Sequence, residues 1–250
     1  MPTLELAPTV IEPRFRGFPG LAHGGHLAGM LAAALGAEAA EVRLRRPVPT
    51  GLALTLDHTP DGTVELHDGT MLLAVARPSA LALDVPAPVS LAEAEAAARR
   101  FPGHRGHLFG GCFGCGPDRE HGDGLRLEPG PVPGRRLVAT PWVPDGDGPV
   151  PLERVWAAFD CPQLWALIAH APAGTPDMVV TASLAARVER PVVAGRPHVL
   201  VAWPMGRDGR AWVAGAALFG PDGERCAVSR QVAALADWGL PLDRRCWQAD

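Results

Sequence analysis

A histidine followed by two glycines, His23-Gly24-Gly25, stands where an apolar helix is predicted to begin. The first amides of a helix lack intrahelical partners and carry a partial positive charge. Because glycine has no side chain, a carbonyl group can approach these donors, which would stabilise an oxyanion forming on it. Alternatively, Gly24 and Gly25 only permit close packing of loop and helix, and His23 bonds a local backbone group. The motif alone leaves both interpretations open.

Cys112 and Cys115 form a Cys-x-x-Cys pair that could bind zinc, with His107 or His121 as a third ligand. A structural zinc site usually has a second pair of ligands, and the remaining cysteines are isolated in the sequence: Cys161, Cys226 and Cys246. A redox role is not supported either, because no thioredoxin-like βαβ pattern surrounds the pair. We interpret both cysteines as small apolar residues in a tight turn and predict no metal and no cofactor.

The chain contains an internal repeat that covers about 35 positions. Residues 43–51 read RLRRPVPTG and residues 187–195 read RVERPVVAG. Each copy continues with two Asp-Gly pairs and ends in AVAR (74–77) or AVSR (227–230). The period is far too long for a solenoid, so the repeat predicts two copies of one small fold.

Each copy is predicted to place one helix before an antiparallel meander of three or four strands. Asp-Gly between β-branched, apolar runs favours tight hairpins, since glycine supplies a positive φ. Four such pairs occur: Asp61-Gly62, Asp68-Gly69, Asp208-Gly209 and Asp222-Gly223. The first helix is expected at about 22–37 and the second at about 152–170, interrupted near Pro162 because proline cannot donate to the helical ladder.

A third helix is predicted at 91–101, where Ser90 and Glu93 form a capping box. Prolines and glycines flank it, so we interpret it as a linker. The predicted organisation is a first copy at 1–85, a linker with a helix at 86–108 and a second copy at 109–250. The fold class is therefore α+β, with a helix enclosed by a curved antiparallel sheet in each copy.

The segment from Gly17 to Leu31, with His23-Gly24-Gly25 inside it, resembles the element that opens the central helix of hot-dog acyl-CoA thioesterases. The similarity is to enzymes of the phenylacetate-pathway and 4-hydroxybenzoyl-CoA type. It implies a double hot-dog fold, in which two fused copies form a pseudo-dimer with one continuous sheet. It also implies that Gly24 and Gly25 supply backbone donors and that His23 has a positioning role.

The resemblance further implies an acidic nucleophile or general base one to two turns into a central helix. The first copy has Gly29, Met30, Leu31 and Ala32 there, with no carboxylate. The second copy lacks the His-Gly-Gly element but carries Asp160, and Glu153 is a weaker substitute. One composite site is thus expected, with donors from Gly24 and Gly25 and the carboxylate of Asp160. The alternative for Asp160 is an N-cap on a helical piece that starts at Pro162.

The segment from Gly111 to Asp118, followed by Gly124-Leu125, resembles a Cys-Phe-x-Cys-Gly entry segment of some hot-dog proteins. The Asn-Pro usual in that segment is replaced by Arg119-Glu120. A hot-dog hydratase is a further alternative, but the Asp118-to-His121 stretch lacks the Gly-Asp-x-Asn-Pro context of such enzymes.

Composition and charge exclude several function classes. A net charge of −4 without a basic block argues against nucleic acid as the main partner. No run approaches the roughly 20 apolar residues that span a bilayer, and the start of the chain shows no secretory signal. An odd number of cysteines, five, is no disulfide framework. We therefore expect a cytoplasmic protein without a membrane partner.

The leading functional hypothesis is hydrolysis of an acyl-CoA or related thioester at the composite site. Arg46 and its repeat equivalent Arg190 are candidates for contacting the phosphates of coenzyme A, although surface solvation also explains them. The tryptophans of the second copy are expected to pack its core, with one or two lining an acyl pocket. The alternative function is non-catalytic binding of acyl-CoA or lipid. A homodimer of pseudo-dimers and a single fused pair are both compatible with the sequence.

Overall fold

The computed structural model describes residues 8–171, 179–208 and 211–235, without the side chains of 208 and 235. Three features of the sequence lie outside this range. They are the N-terminal segment, Gly209 of one predicted turn, and the C-terminal segment with Trp238, Cys246 and Trp247.

The first half of the chain consists of one helix followed by four antiparallel strands. After the short β1 (Thr9–Val10) come α1 (Gly24–Leu35), β2 (Ala39–Leu44), β3 (Ala53–His58), β4 (Val64–Asp68) and β5 (Met71–Pro78). The turns between β3, β4 and β5 contain Gly62 and Gly69, whose φ values are 79° and 58°. Both predicted Asp-Gly turns of this half are therefore present, because only glycine adopts such angles at little cost.

The second half repeats this order. Its elements are β6 (Gly130–Pro131), β7 (Val138–Trp142), α3 (Leu152–Ala169), β8 (Val179–Val188), β9 (His198–Asp208), β10 (Ala211–Phe219) and β11 (Arg225–Leu235). The repeat is visible in detail at Gly51 and Gly195, which follow β2 and β8 with φ values of 77° and 75°. The two halves thus use the same backbone conformation at equivalent positions.

One antiparallel sheet joins both halves, with the strand order β1-β3-β4-β5-β2-β8-β11-β10-β9-β7-β6. The two halves meet at β2 and β8, where Val42 lies opposite Leu184. On either side of this junction the equivalent strands of the two halves follow in the same order, first β5 and β11, then β4 and β10, then β3 and β9. The predicted α+β class and the single continuous sheet are therefore confirmed.

The third helix, α2 (Leu91–Ala98), begins with the predicted capping box of Ser90 and Glu93. It packs against the second half of the sheet, where Ala94 and Ala97 contact Val201 and Ala139 in one apolar cluster. Alternate residues of the same strands, such as Leu200, face the main core on the other side. The linker helix therefore covers a sheet face, and the boundaries at 85 and 108 remain predictions.

The interruption predicted near Pro162 is wrong, because α3 runs from Leu152 to Ala169 with Pro162 inside it. Twelve of its 18 residues are buried. Helices in proteins derive most of their stability from tertiary packing of buried faces. Enclosure between α1 and the sheet therefore outweighs the hydrogen bond that proline cannot make.

The helices α1 and α3 pack directly on each other through two glycines. A Cβ atom at Gly25 would lie 2.7 Å from the Trp156 carbonyl oxygen, and one at Gly29 would lie 2.4 Å from Glu153 Cα. Real side chains do not occur at such distances. These glycines therefore permit the close approach that brings the start of α1 to the middle of α3.

Candidate active site

Asp160 is the centre of a buried hydrogen-bond network between the two halves. Its side chain is almost fully buried, with 3% of the residue exposed. Oδ1 accepts hydrogen bonds from Thr181 Oγ1 (2.5 Å) and Gln231 Nε2 (2.6 Å), and Oδ2 accepts one from the Gly25 N–H (2.7 Å). Gln231 Nε2 also lies 2.9 Å from Thr181 Oγ1. The alternative for Asp160, an N-cap on a helix that starts at Pro162, is therefore wrong, since no helix begins there and three other groups hold the carboxylate.

His23 lies beside this carboxylate at the N-terminus of α1. Its Nδ1 accepts a hydrogen bond from the His26 N–H (3.3 Å), which makes His23 the N-cap of the helix. In the neutral ring the proton is therefore on Nε2, which lies 3.6 Å from Asp160 Oδ2. Burial lowers the pKa of His23, but Asp160 and the Cys112 thiol outweigh it, so the pKa is raised.

The two predicted backbone donors have different surroundings. The Gly25 N–H is already bonded to Asp160, and Gly25 does not line the adjacent cavity. Gly24 does line the cavity, and its N–H has no hydrogen-bond partner among the described residues. The Gly24 amide is therefore the free donor at this helix N-terminus.

A cavity of about 350 Å³ reaches this network. Asp160, Thr181, His23 and Gly24 form its polar end. Most of the remaining wall is apolar, as is typical of sites for small ligands. It includes Phe18, Leu21, Leu27, Leu164, Trp165 and Ile168. One carboxylate and one free amide therefore line a cavity whose wall is mostly apolar.

Comparison with solved structures identifies the architecture. The tesB protein of Mycobacterium avium subsp. paratuberculosis superposes with a TM-score of 0.57 at 14% identity, over 87% of this chain and 88% of that one. An acyl-CoA thioesterase II of Mycobacterium marinum gives 0.54 at 16% identity, over 86% and 90%. A hot dog fold protein of unknown function from Alicyclobacillus acidocaldarius gives 0.54 at 11% identity, over 90% and 91%. The chain has the double hot-dog fold.

Comparison of the sequence alone with known proteins identifies no family. No protein-family model and no curated protein matches it. At identities of 11–16% the structural similarity establishes the double hot-dog fold alone. None of the helices in the described part of the chain combines the length and the apolar character that crossing a bilayer requires.

The double hot-dog symmetry explains why only one such network is found among the described residues. Ala22 N–H bonds Val48 O at the start of α1, and Val150 N–H bonds Val192 O at the equivalent start of α3. Counting from these positions, Ala32 of α1 is equivalent to Asp160 of α3. The second helix junction therefore has no carboxylate, and Glu153 at the start of α3 packs against Gly29 instead.

The predicted arginines are separated by the fold. Arg46 is exposed and lines the mouth of the cavity together with Arg45, which the sequence interpretation missed. Arg190 is exposed at the equivalent position of the second half and does not line this cavity. The structure thus brings Arg46 towards Asp160, His23 and Gly24, and places Arg190 elsewhere.

Sequence reasoning also missed Thr181 and Gln231. Both lie on strands, β8 and β11, and are separated from Asp160 by 21 and 71 positions. Threonine is common in strands for packing reasons, and no motif distinguishes this one. A completely buried glutamine such as Gln231 is unusual, but burial is visible only in the fold.

Cys112 and Cys115 are buried in a turn, as predicted, where the Gly116 N–H donates to the Cys112 carbonyl oxygen (2.9 Å), but their neighbour Cys161 was not foreseen. Cys161, isolated in the sequence, lies with Cys112 and Cys115 in one buried cluster next to Phe101 and Trp165. Both Cys112 and Cys115 line the cavity, as does His107. Cys226 is buried elsewhere in the main core, and His121 is exposed.

Proposed function

We propose that this protein hydrolyses acyl-CoA or related thioesters at the composite site between its two halves. The observation that carries the proposal is the buried Asp160 carboxylate, which three donors orient at the polar end of an apolar cavity. The superposed Mycobacterium marinum protein is named an acyl-CoA thioesterase II, which supports the same reaction class. Fold alone hosts many functions, so the site has to carry the argument.

In the proposed mechanism, Asp160 acts as general base. The hydrogen bonds that Asp160 accepts on both carboxylate oxygens hold it in one orientation. It takes a proton from a water molecule, whose oxygen attacks the thioester carbonyl carbon. The free Gly24 N–H stabilises the negative charge that develops on the carbonyl oxygen. The carbon–sulfur bond then breaks, and Asp160 returns the proton that it took from water to the leaving sulfur, so that the acid and the thiol are released.

The roles of the neighbouring residues follow from their contacts. Thr181 and Gln231 hold Oδ1, and the Gly25 N–H holds Oδ2, so these three groups position the base. His23 caps α1 and thereby fixes the amide of Gly24. The apolar wall around Trp165 accommodates the acyl chain. Arg46 at the mouth is suited to the phosphates of coenzyme A.

One observation favours the alternative function, binding of acyl-CoA or lipid without turnover. The second predicted oxyanion donor, the Gly25 N–H, is occupied by Asp160. A single free donor gives weaker stabilisation of an oxyanion than two donors would. Tight ligand binding without thiol release would favour this alternative.

The proposed function is tested by measuring free thiol release from a panel of short-, medium-, long-chain and aryl acyl-CoAs. We expect turnover of at least one class of acyl-CoA, and we expect the preferred acyl group to be the one whose size matches the apolar cavity. Ligand binding is measured in parallel by calorimetry. If acyl-CoAs bind but none of the panel releases free thiol, the proposed hydrolysis is wrong and the binding function is favoured.

Thr181→Val is expected to lower kcat by roughly tenfold to a hundredfold with little change in KM. A hydrogen bond to a charged group contributes about 1.5–3 kcal/mol, and valine keeps the shape while removing the donor. Steady-state kinetics on the preferred thioester measure the effect. Thr55→Val, at an exposed position in β3, is the matched control and should not change kcat. An unchanged kcat in Thr181→Val would remove Thr181 from the mechanism.

Arg46→Ala is expected to raise KM for acyl-CoA by about fivefold at low salt, because exposed charge interactions contribute at most about 1 kcal/mol. Salt should reduce the difference. A pantetheine thioester, which lacks the nucleotide phosphates, should show no change. Arg190→Ala is the matched control at the equivalent position outside the cavity. Equal effects of both substitutions would contradict a specific role for Arg46.

A further inference from the structure

Three cysteine thiols from two distant segments meet in the buried cluster beside the cavity. Cys112 Sγ and Cys161 Sγ are 3.6 Å apart, and Cys115 lies in the same buried cluster. All three are buried and none is in a disulfide. The Cys-x-x-Cys pair is held by the loop before the second half, whereas Cys161 follows Asp160 on α3. The fold therefore adds a third sulfur to the Cys-x-x-Cys pair, from a cysteine that is isolated in the sequence.

Two histidine rings point a nitrogen at these sulfur atoms. His23 Nε2 lies 3.3 Å from Cys161 Sγ, and His107 Nε2 lies 3.1 Å from Cys115 Sγ. In each ring Nδ1 accepts a backbone hydrogen bond, from the His26 N–H (3.3 Å) and the Phe109 N–H (3.1 Å). The ring proton is therefore on Nε2 in both histidines. Both rings can therefore donate an Nε2–H hydrogen bond to sulfur.

The cluster thus gathers three thiols and two ring N–H donors in a buried place. Buried thiolates without a counter-charge are costly. A cation bound by the sulfurs would remove that cost, and metal ions deprotonate the thiols that bind them.

One sulfur–sulfur distance is compatible with a tetrahedral metal. Zinc–sulfur bonds of about 2.3 Å at tetrahedral angles place the ligand sulfurs about 3.8 Å apart. The separation of Cys112 Sγ and Cys161 Sγ is 3.6 Å. The ligand atoms of His23, Cys112 and Cys161 all lie within 4.8 Å of one another, so a single ion could reach this group.

We propose that Cys112, Cys115 and Cys161 bind one zinc ion, with His23 and His107 donating Nε2–H hydrogen bonds to the ligand sulfurs. The fourth ligand is a water molecule from the cavity, since all three cysteines line it. The ion joins the loop of the Cys-x-x-Cys pair to α3 beside Asp160. This site does not depend on thioester hydrolysis and can be tested without an activity assay.

The first test is the metal content of the purified full chain. We expect about one zinc per chain by elemental mass spectrometry, and less than about a tenth of that in Cys112→Ser, Cys115→Ser and Cys161→Ser. Cys226→Ser, which changes a buried cysteine of the main core, is the matched control and should keep its zinc. Circular dichroism establishes that each variant is folded. Full zinc occupancy in all three cluster variants would overturn the proposal.

The second test uses Co²⁺ on the wild-type chain after chelation and does not rely on any variant. We expect one equivalent to produce sulfur-to-cobalt charge-transfer absorption and the visible bands of tetrahedral Co²⁺. His23→Ala and His107→Ala should weaken binding by about 10–100-fold, as loss of outer-sphere partners does. Absence of both spectral features, or a Cys112–Cys161 disulfide in metal-free purified protein, would overturn the proposal. Complete loss of the bands in His23→Ala at saturating Co²⁺ would overturn the assignment of the ligands.

Discussion

Asp160→Asn is expected to reduce thioester turnover by a hundredfold or more, because general base catalysis contributes about 10²–10⁴-fold. Asparagine has nearly the same shape as aspartate, and its amide oxygen can still accept from the Gly25 N–H. The Thr181 hydroxyl can rotate to accept from the new amide group. Gln231 now donates to Oδ1, so its side-chain amide has to turn until Oε1, which has no partner in the wild type, accepts from the new amide instead. The substitution therefore removes the base while the side chains around it keep hydrogen-bond partners. Thiol release under saturating substrate measures the loss.

The control for Asp160→Asn is Glu153→Gln, which removes the weaker substitute carboxylate at the start of the same helix. Glu153 packs against Gly29 and is remote from the hydrogen-bond network of Asp160. Loss of this carboxylate should leave kcat within about twofold of the wild-type value, which corresponds to a negligible change in the activation free energy. Acyl-CoA binding to Asp160→Asn, measured by calorimetry, separates a catalytic loss from a binding loss. Turnover by Asp160→Asn within about threefold of the wild type would show that another group is the base.

Gly29→Ala is expected to destabilise the protein by about 2 kcal/mol or more. In a helix alanine is more favourable than glycine by about 1 kcal/mol. Whether Gly29→Ala raises or lowers the free energy of unfolding therefore depends on packing. The new Cβ would lie 2.4 Å from Glu153 Cα and 2.9 Å from Trp156 Cβ, and both neighbours belong to a buried helix. Overpacking of this kind costs about 1–3 kcal/mol or more when backbone has to move. Packing therefore outweighs helix propensity here.

Urea denaturation measures this effect as a lower midpoint at an unchanged slope. Gly106→Ala is the control, since a Cβ at Gly106 would meet no atom within 4 Å and should change stability by less than about 0.5 kcal/mol. We also expect Gly29→Ala to lower turnover, because separation of α1 from α3 stretches the contact of Gly25 with Asp160. A midpoint equal to or above that of the wild type would contradict the close helix packing.

Much of the fold could be predicted because its signals are local. The Asp-Gly pairs, the apolar spacing of 22–37 and the capping box of Ser90 specify turns and helices within a few residues of themselves. The repeat of 43–51 at 187–195 then implies that both halves fold alike. Pro162 was misjudged by the same local reasoning, since burial of α3 overrides the lost hydrogen bond.

The sequence by itself determined the duplicated architecture, and resemblance to hot-dog enzymes pointed to His23, Gly24, Gly25 and Asp160. Only the tertiary structure decided what surrounds Asp160 and Cys112. The pairing of β8 with β11 places Thr181 and Gln231 at one carboxylate, and the course of α3 places Cys161 at the Cys-x-x-Cys pair. Local patterns specify which face of an element is buried. They do not specify which distant element meets it, because that depends on how the two halves close around one core.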